Sequence, residues 1–495
     1  MALAVDLYNS NVTLSLSDDT NLGIVWGGSL GVPSGQRIMS QSWGRGFSPL
    51  AAIDYRERTV TLTIHVKASS QDNWIVAFRQ IEQMLLDVRT YYTSKAMDGD
   101  KAVLSVQLNG QTYPLEYDVL DGEIRADGVF EPTMQSTTAP ALRNVSLTLL
   151  VKPWGRNQQL VKSVSASTVN GGGVSATNPG FAIGSPNGDV PAPAKITFQC
   201  AAGDGFARVM IGKKTNITTA QFPFAVNLEV STGPGYAVTI GTTDALVSST
   251  NAAVAGAHNA SVGRIMWSSL VTTNVRVWRN IEITSGLDNW RGKYRVYARI
   301  DDDAGDGGTS PTQVDYYRFS YGGTSGDAIS LNATGSTQNN ADWLVDMGVI
   351  EIPPRFGPLD VPQNTLKMRF GGSLNGSATV SGHIDIDNLF FMPINEGFFD
   401  GVLTGTATAQ SQLAVDKLQE HPQPYLMDSS GDITSAQQAI TPYTNTFFDI
   451  TPNVNNVFYA LYSCTTGAIT HNLTDLYTLT AEYYPQYAQG RTSAS

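Results

Sequence analysis

The chain has little charge, almost no cysteine and no long apolar run. Of its 495 residues only 15% are Asp, Glu, Lys or Arg, below the roughly 25% of an average globular chain. Acidic residues outnumber basic ones by 43 to 31, and the longest basic cluster is the pair Lys213 and Lys214. A nucleic-acid-binding protein needs a basic surface to hold phosphates, so we expect no direct nucleic-acid binding.

Cys200 and Cys464 are the only two cysteines. They are too few and too far apart for a disulfide framework or a zinc site, and we expect them to be buried apolar residues. No segment approaches the roughly 18 apolar residues of a membrane span. The first sixteen residues lack the basic and apolar regions of a signal peptide, so we expect neither membrane insertion nor export by such a signal.

The chain is instead rich in the residues of strands and turns, and it is acidic. It is 41% hydrophobic and contains 47 Gly and 23 Pro, with a net charge of −12. Residues 396–495 hold nine of the acidic residues and two of the basic ones. Domains usually have roughly 100 to 200 residues, so this length predicts two to four of them, and the composition predicts a mainly β, multi-domain protein.

Residues 1–160 predict an α+β domain with one helix. Residues 59–66 alternate apolar and polar side chains, as in a half-buried strand. Apolar residues then recur every three or four positions from Asn73 to about Tyr92, which predicts an amphipathic helix. Two further alternating runs are joined by Asn109-Gly110, the pair favoured in two-residue hairpin turns. Another strand is predicted at 144–151, so one helix covers one face of an antiparallel sheet.

The rest of the chain predicts strands without helices. Residues 161–178 are rich in Ser, Thr, Gly and Asn and are interpreted as a linker. Residues 179–395 alternate short β runs with turn residues, which predicts a two-sheet sandwich or jelly roll. The segment 396–495 is β-rich again, and it either forms a small domain of its own or completes an earlier sheet.

Catalytic patterns are weak. Residues 27–31 match the Gly-x-Ser-x-Gly elbow of hydrolases, but Pro33 follows where that motif needs a helix, so a Gly/Ser loop is favoured. The five histidines are widely separated in the sequence. Asp385 and Asp387 lie on one face of a predicted strand, and paired carboxylates can hydrolyse glycosides. Solvent-facing carboxylates are the favoured interpretation, and we expect no enzyme and no catalytic residue.

Two candidate ligand sites remain. Asp301, Asp303 and Asp306 follow a predicted strand, and acidic loops of this kind can hold a structural calcium ion; a solvated hairpin tip is the alternative. No other cofactor is expected. Among the aromatic residues of 179–395, three stand beside turn residues and are candidates for exposed rings that stack on sugars. These are Trp290, Tyr321 and Trp343.

The order of elements in 1–160 resembles that of distal tail proteins and related tail-tube-like proteins of long-tailed bacteriophages. The resemblance is carried by the run 58–66, the helix from Trp74, the Asn109-Gly110 hairpin and the strand at 147–153. Residues 343–354 and 382–393 look like segments of the galectin-like or carbohydrate-binding jelly rolls attached to phage tail proteins. The likeness covers about three quarters of the chain.

The resemblance implies a virion structural protein of the tail tip or baseplate. Members of this family join sheet edges into a ring, most often a hexamer, around the tail axis, and contact the tail tube and tail hub. Such a protein is assembled in the host bacterial cytoplasm, and its jelly roll faces outward, where it can touch host glycans. Two alternatives stay open: a receptor-binding or side-fibre protein, and a virion-associated glycan hydrolase.

Overall fold

The computed structural model describes most of residues 4–488. The following residues lie outside the description: 1–3, 18–23, 32, 39–51, 69–70, 95–98, 108–111, 127–140, 166–167, 170–179, 201–204, 219–220, 223, 229–231, 234–235, 243–246, 254–260, 268–274, 284–285, 302–313, 323–328, 334–342, 353–365, 375–381, 404–410, 421, 429, 436–439, 446, 464–475 and 489–495. The described chain is mainly β, as predicted, and consists of several antiparallel sheets.

The strands and the helix have the following bounds. In the first part of the chain they are β1 (Ala4–Tyr8), β2 (Thr13–Ser15), β3 (Ile24–Ser29), β4 (Pro33–Ile38), β5 (Ala52–Ala68), α1 (Gln71–Thr93), β6 (Ala102–Gln107), β7 (Leu115–Ala126), β8 (Ala141–Val151), β9 (Gly155–Asn157), β10 (Val161–Val164), β11 (Thr168–Val169), β12 (Phe181–Ile183), β13 (Ala192–Cys200), β14 (Arg208–Thr215), β15 (Ala225–Asn227), β16 (Thr232–Gly233) and β17 (Tyr236–Thr242). They continue as β18 (Val247–Ala253), β19 (Ser261–Trp267), β20 (Val275–Ile283), β21 (Gly292–Asp301), β22 (Val314–Gly322), β23 (Ile329–Ala333), β24 (Trp343–Ile352), β25 (Leu366–Leu374), β26 (Gly382–Pro393), β27 (Phe398–Leu403), β28 (Gln412–Asp416), β29 (Gln423–Met427), β30 (Ile433–Ser435), β31 (Ile440–Asn445), β32 (Asp449–Ile450), β33 (Asn456–Ser463), β34 (Leu476–Tyr483) and β35 (Gln486–Tyr487).

The chain forms two compact units. The first unit comprises Met1–Val161, Asn187–Ala192 and Tyr484–Ser495, and the second comprises Lys162–Pro186 and Pro193–Tyr483. The second unit is therefore inserted into the first in two pieces, which Asn187–Ala192 of the first unit separates along the sequence. These bounds differ from the predicted boundaries at 160, 178 and 395, because Tyr484–Ser495 belongs to the first unit.

The first unit is built on one ten-stranded antiparallel sheet, which we call the first sheet. Its order is β2-β1-β6-β7-β8-β5-β3, β4 pairs with β5, and β9 pairs with both β7 and β35. In β5 the alternating residues Val60, Leu62 and Ile64 are buried. They are joined in the core by Ile81, Leu85 and Val88 of α1. The predicted strand and amphipathic helix are both confirmed, because one-sided burial gives each element the period that the sequence shows.

The predicted hairpin between β6 and β7 forms, but in a different register. Val106 pairs with Leu115 and Leu104 pairs with Tyr117. A two-residue turn at Asn109-Gly110 requires Val106 to pair with Tyr113, two positions away. Because side chains alternate along a strand, a shift of two residues keeps the same side chains in the core. The predicted turn pair lies outside the described residues.

The second unit contains two sheets that share an aromatic core. The second sheet has the order β10-β34-β13-β28-β29-β30, and the third sheet has the order β12-β33-β14-β27-β31. Phe198 of β13 contacts Tyr462 of β33 and Tyr477 of β34, with ring centroids 5.2 and 5.6 Å apart. Strands from 396–483 flank β13 and β14, so this part of the C-terminal segment completes earlier sheets.

Residues 225–393 contribute two six-stranded antiparallel sheets between β14 and β27. The fourth sheet has the order β18-β19-β26-β21-β24, with β15 on β26, and the fifth has the order β16-β17-β20-β25-β22-β23. The strands predicted here are present. The predicted linker at 161–178 contains β10 and β11, both of which pair with β34. That segment is part of a sheet where it is described, a correction that follows from pairing with residues some 300 positions away.

Two expectations about burial and membranes can be compared with the structure. Cys200 is buried, as predicted, in β13. Cys464 lies outside the described residues. Within the described part of the chain, no helix has both the length and the apolar character needed to cross a membrane.

Candidate assembly surface and predicted ligand sites

The first sheet ends on different strands at its two sides. Among the described residues, β2 pairs with β1 alone, and β3 and β4 each pair with β5 alone. Thr13 of β2 and Ser29 of β3 are both exposed. An outer strand presents backbone N–H and C=O groups that can pair with a strand of another molecule. We call β2 and β3 the outer strands; each of them forms one candidate assembly surface.

The Gly/Ser motif at 27–31 shapes one of these outer strands. A Cβ atom on Gly28 would lie 2.5 Å from the carbonyl oxygen of Thr61, so only glycine allows β3 to approach β5 this closely. Gly31 has a φ of +60° and donates its N–H to Oγ of Ser29 at 3.0 Å. The next element is β4, not a helix. The motif therefore ends an outer strand, in agreement with the rejection of a nucleophile elbow.

A charged network links β1, β7 and β9. The hydroxyl of Tyr8 donates to Glu116 at 2.6 Å, and Nε of Arg156 donates to the same carboxylate at 3.2 Å. Asp118 forms ion pairs with Lys152 at 2.9 Å and with Arg156 at 3.2 Å. Burial opposes ionisation of Asp118, but the two cations outweigh it and lower the pKa of that carboxyl. Burial and Glu116 raise the pKa of Tyr8.

Arg58 is a buried cation at the end of the β5–β8 pairing. Its side chain is 1% exposed. Nη1 donates to the hydroxyl of Tyr117 at 3.3 Å, and Nη2 donates to the carbonyl oxygen of Ala488 at 2.6 Å. The guanidinium also lies 5.4 Å from the centre of the Tyr117 ring. Burial is the main reason that the pKa of Tyr117 is raised, although Arg58 opposes the rise.

The predicted sugar-stacking residues do not form one exposed group. Trp290 is 1% exposed and packs edge-on against Phe222 and Phe391, at 5.2 and 5.3 Å between ring centroids. The prediction of a surface ring is therefore wrong for Trp290, because the short 3-10 helix Leu287–Trp290 places it in the core. Tyr321 lies in β22 and Trp343 begins β24. These two strands belong to different sheets.

The predicted calcium loop falls mostly outside the described residues. Asp301 is the last residue of β21, while Asp303 and Asp306 lie outside the description. Asp301 is the register partner of Asp385 in β26, and Asp385 is also paired with Arg264 in β19. Within the described part of the chain, no group of three or more His, Cys, Asp or Glu residues is arranged to hold a metal.

Two adjacent lysines are buried in the second unit, and sequence analysis treated them only as a short basic pair. Lys213 is 2% exposed and Lys214 is 5% exposed. Nζ of Lys214 donates to the carbonyl oxygen of Arg291 at 2.6 Å and to the hydroxyl of Tyr294 at 2.7 Å. Nζ of Lys213 donates to the carbonyl oxygen of Asp449. Burial lowers the pKa of each lysine to about 8.

A buried carboxylate lies between the third and fourth sheets. Asp400 of β27 accepts two hydrogen bonds from Arg208 of β14, at 2.9 and 2.7 Å. Arg295 of β21 is 3.7 Å from the same carboxylate. A separate aromatic contact in the same unit joins Tyr459 of β33 and Phe224, whose rings stack with their centroids 5.0 Å apart. No sequence motif identifies these residues, because their partners are about 105 to 235 positions away.

Comparisons with known proteins found only remote similarities. No family model matches the chain, and no curated protein matches it. Three solved structures show low similarity: the Dit protein of phage SPP1, the phage p2 baseplate, and the VP2 subviral particle of infectious bursal disease virus. The SPP1 Dit protein is described as a paradigm of the hub adsorption apparatus in phages that infect Gram-positive bacteria.

The SPP1 Dit protein is 6% identical with a TM-score of 0.36, and the match covers 97% of this chain and 98% of that one. The p2 baseplate chain is 9% identical with a TM-score of 0.19, and 78% of this chain and 98% of that one are covered. The VP2 chain is 9% identical with a TM-score of 0.17, with coverages of 66% and 80%. Scores this low do not establish a shared fold, so the functional argument rests on the chain itself.

Proposed function

We propose that this chain is a structural component of the tail tip or baseplate of a long-tailed bacteriophage. In this proposal, copies of the first unit join edge to edge into a ring around the tail axis. The observation that carries it is the pair of different outer strands, β2 and β3, at the two sides of the first sheet. A ring of more than two copies needs two different surfaces on each subunit, and this sheet supplies both.

The proposed partners follow from this position. The chain assembles with itself, as a ring of six, and with the tail-tube and tail-hub proteins, in the cytoplasm of the host bacterium and then in the virion. It does not bind DNA directly. Its net charge of −12 supports this part of the proposal, because a ring that DNA passes through must not hold phosphates.

The second unit is proposed to face outward and to act as a lectin-like module. Its antiparallel sheets are compatible with a binding role, and with Trp290 buried the remaining candidate sugar contacts are Tyr321 and Trp343. The proposal includes no catalytic role. A receptor-binding or side-fibre protein and a glycan hydrolase carrying Asp385 and Asp387 are the competing functions.

The ring is tested by mass measurement in solution with two variants of the full chain. Lysine on an outer strand opposes edge-to-edge pairing, so the double variant Thr13→Lys, Ser29→Lys should be monomeric. The control is Ser430→Lys, at an exposed turn between β29 and β30. We expect six chain masses for the wild type and the control. A monomeric wild type, or a double variant that keeps the full ring mass, would contradict the proposal.

The role of the second unit is tested with purified host cell-wall polysaccharides and the full chain. Saturable binding that Trp343→Ala weakens, without release of sugar fragments, agrees with the lectin-like module. Turnover of polysaccharide that is abolished in Asp385→Asn would instead favour the hydrolase. If neither binding nor turnover is observed, the second unit has no glycan ligand among these polysaccharides. That result would contradict this part of the proposal.

A further inference from the structure

The last described strand of the chain completes a sheet that begins with its first residues. β35 pairs with β9, with Gln486 opposite Arg156 and Tyr487 opposite Gly155. On its other side, Gln486 bridges to Val190, and the carbonyl oxygen of Gln486 accepts a hydrogen bond from the N–H of Asp189 at 2.9 Å. β35 is therefore held from two sides within the first unit.

The side chains around β35 join it to the core of the first unit. Tyr487 is 4% exposed and belongs to the same hydrophobic core as β5 and α1. The next residue, Ala488, provides the carbonyl oxygen that accepts the hydrogen bond from Arg58. Within the described residues, the Nε atom of Arg58 has no acceptor. Among the described residues, loss of Ala488 would leave this buried cation with a hydrogen bond to the Tyr117 hydroxyl.

The second unit begins and ends in two neighbouring strands. β10 follows β9 after three residues, and β34 precedes β35 by two. β10 and β34 are paired. The N–H of Ser165 donates to the carbonyl oxygen of Leu479 at 2.8 Å, and Oγ of Ser165 accepts the N–H of Leu479 at 2.9 Å. Lys162 and Glu482 form an ion pair at 3.1 Å.

From these contacts we infer that β35 is a closing strand that couples the two units. The first sheet is completed only while the second unit is folded, because the β10–β34 pair then holds the connections to β9 and β35 side by side. With the second unit unfolded, β35 is joined to the preceding piece of the first unit, Asn187–Ala192, by a flexible loop of about 290 residues. The closing probability of a flexible loop falls roughly as the −3/2 power of its length, so this loop closes about 160-fold less favourably than one of about 10 residues.

The coupling between the two units can be tested directly, and the test does not depend on the proposed phage function. Phe198→Ala removes a core ring from the second unit, while Ile433→Ala changes a side chain that is 61% exposed in the same unit. Hydrogen–deuterium exchange of the full chain is measured at a urea concentration that unfolds the second unit of Phe198→Ala but not of the wild type. We expect exchange in 155–157 and 486–487 to rise between about ten-fold and about 160-fold in Phe198→Ala and to stay at the wild-type rate in Ile433→Ala.

The reciprocal change gives a second readout. Tyr487→Ala should speed exchange in 155–157 and, because coupling between two equilibria is reciprocal, also in 162–165 and 479–482. If Phe198→Ala does not fold, Phe198→Leu takes its place. The inference is overturned if the second unit unfolds while 155–157 and 486–487 keep their wild-type exchange rates.

Discussion

The two buried lysines should make the second unit more stable as the pH rises from 8 to 10. Lys213 and Lys214 have pKa values lowered to about 8, chiefly by burial, against an ordinary value of 10.5. Between these two values the unfolded chain binds more protons than the folded chain. Stability therefore increases with pH across this window, and the destabilisation by the buried charges is fully present below pH 8.

The size of the effect follows from the shift. A pKa shift of one unit corresponds to about 1.4 kcal/mol, so a lysine with these values gains about 2 kcal/mol of stability between pH 8 and pH 10. Replacing Lys214 by Met removes this gain and also removes the buried charge. The hydroxyl of Tyr294 keeps its own hydrogen bond to the carbonyl oxygen of Arg291, at 3.1 Å. We expect Lys214→Met to match or exceed the wild-type stability at pH 7 to 8.

The assay must report on the second unit alone. Pulsed labelling of the buried Cys200 in a urea series, with mass spectrometry of its peptide, meets this requirement at pH 8, 9 and 10. The window ends at pH 10, because burial raises the pKa values of Tyr459 and Tyr477, so that the unfolded chain loses their protons first. Lys162→Met, at an exposed lysine, is the control. The reasoning would be refuted if the urea midpoint of Cys200 labelling in the wild type stays constant or falls from pH 8 to 10. It would also be refuted if Lys214→Met leaves the pH dependence of that midpoint unchanged.

Two further substitutions test packing and buried charge. Gly155→Ala should lower the unfolding free energy of the first unit by about 1–3 kcal/mol in urea denaturation, because the added Cβ would lie 2.7 Å from Cζ of Tyr117. The control is Gly184→Ala, whose added Cβ would lie 3.7 Å from Oδ1 of Asn455. Asp400→Ala should lower the unfolding free energy of the second unit by about 3 kcal/mol, because it leaves Arg208 without its two-point carboxylate partner. A loss below about 1 kcal/mol in the Cys200 labelling series would show that the pair contributes little.

The parts of the fold that were predictable have a local cause. The alternation in 59–66 and the helical period from Asn73 are present in the sequence because each element buries one face against the same core. A single face of a strand or helix repeats at a fixed spacing, so a short window of sequence is enough. The hairpin of β6 and β7 was predictable as a pair, whereas its register depends on partners beyond that window.

The residues that were misjudged depend on distant partners. Trp290 stands beside Asp288 and Asn289, which suggested an exposed turn, yet its ring is enclosed by Phe222 and Phe391. Lys213 and Lys214 suggested at most a weak basic patch, yet both ammonium groups are buried. In each case the local sequence is polar, and burial comes from residues about 70 or more positions away, which no local period can reveal.

The first sheet depends on only a small part of the second unit. For the first sheet to be completed, the second unit has to keep β10 paired with β34 at its ends. Changes elsewhere in the second unit that preserve this pair leave the closure of β35 on β9 unaffected. If the proposed function is correct, the first unit can thus keep both outer strands while the binding properties of the second unit change. In that case, substitutions in the fourth and fifth sheets should alter glycan binding without altering the ring mass, whereas substitutions that separate β10 from β34 should alter both.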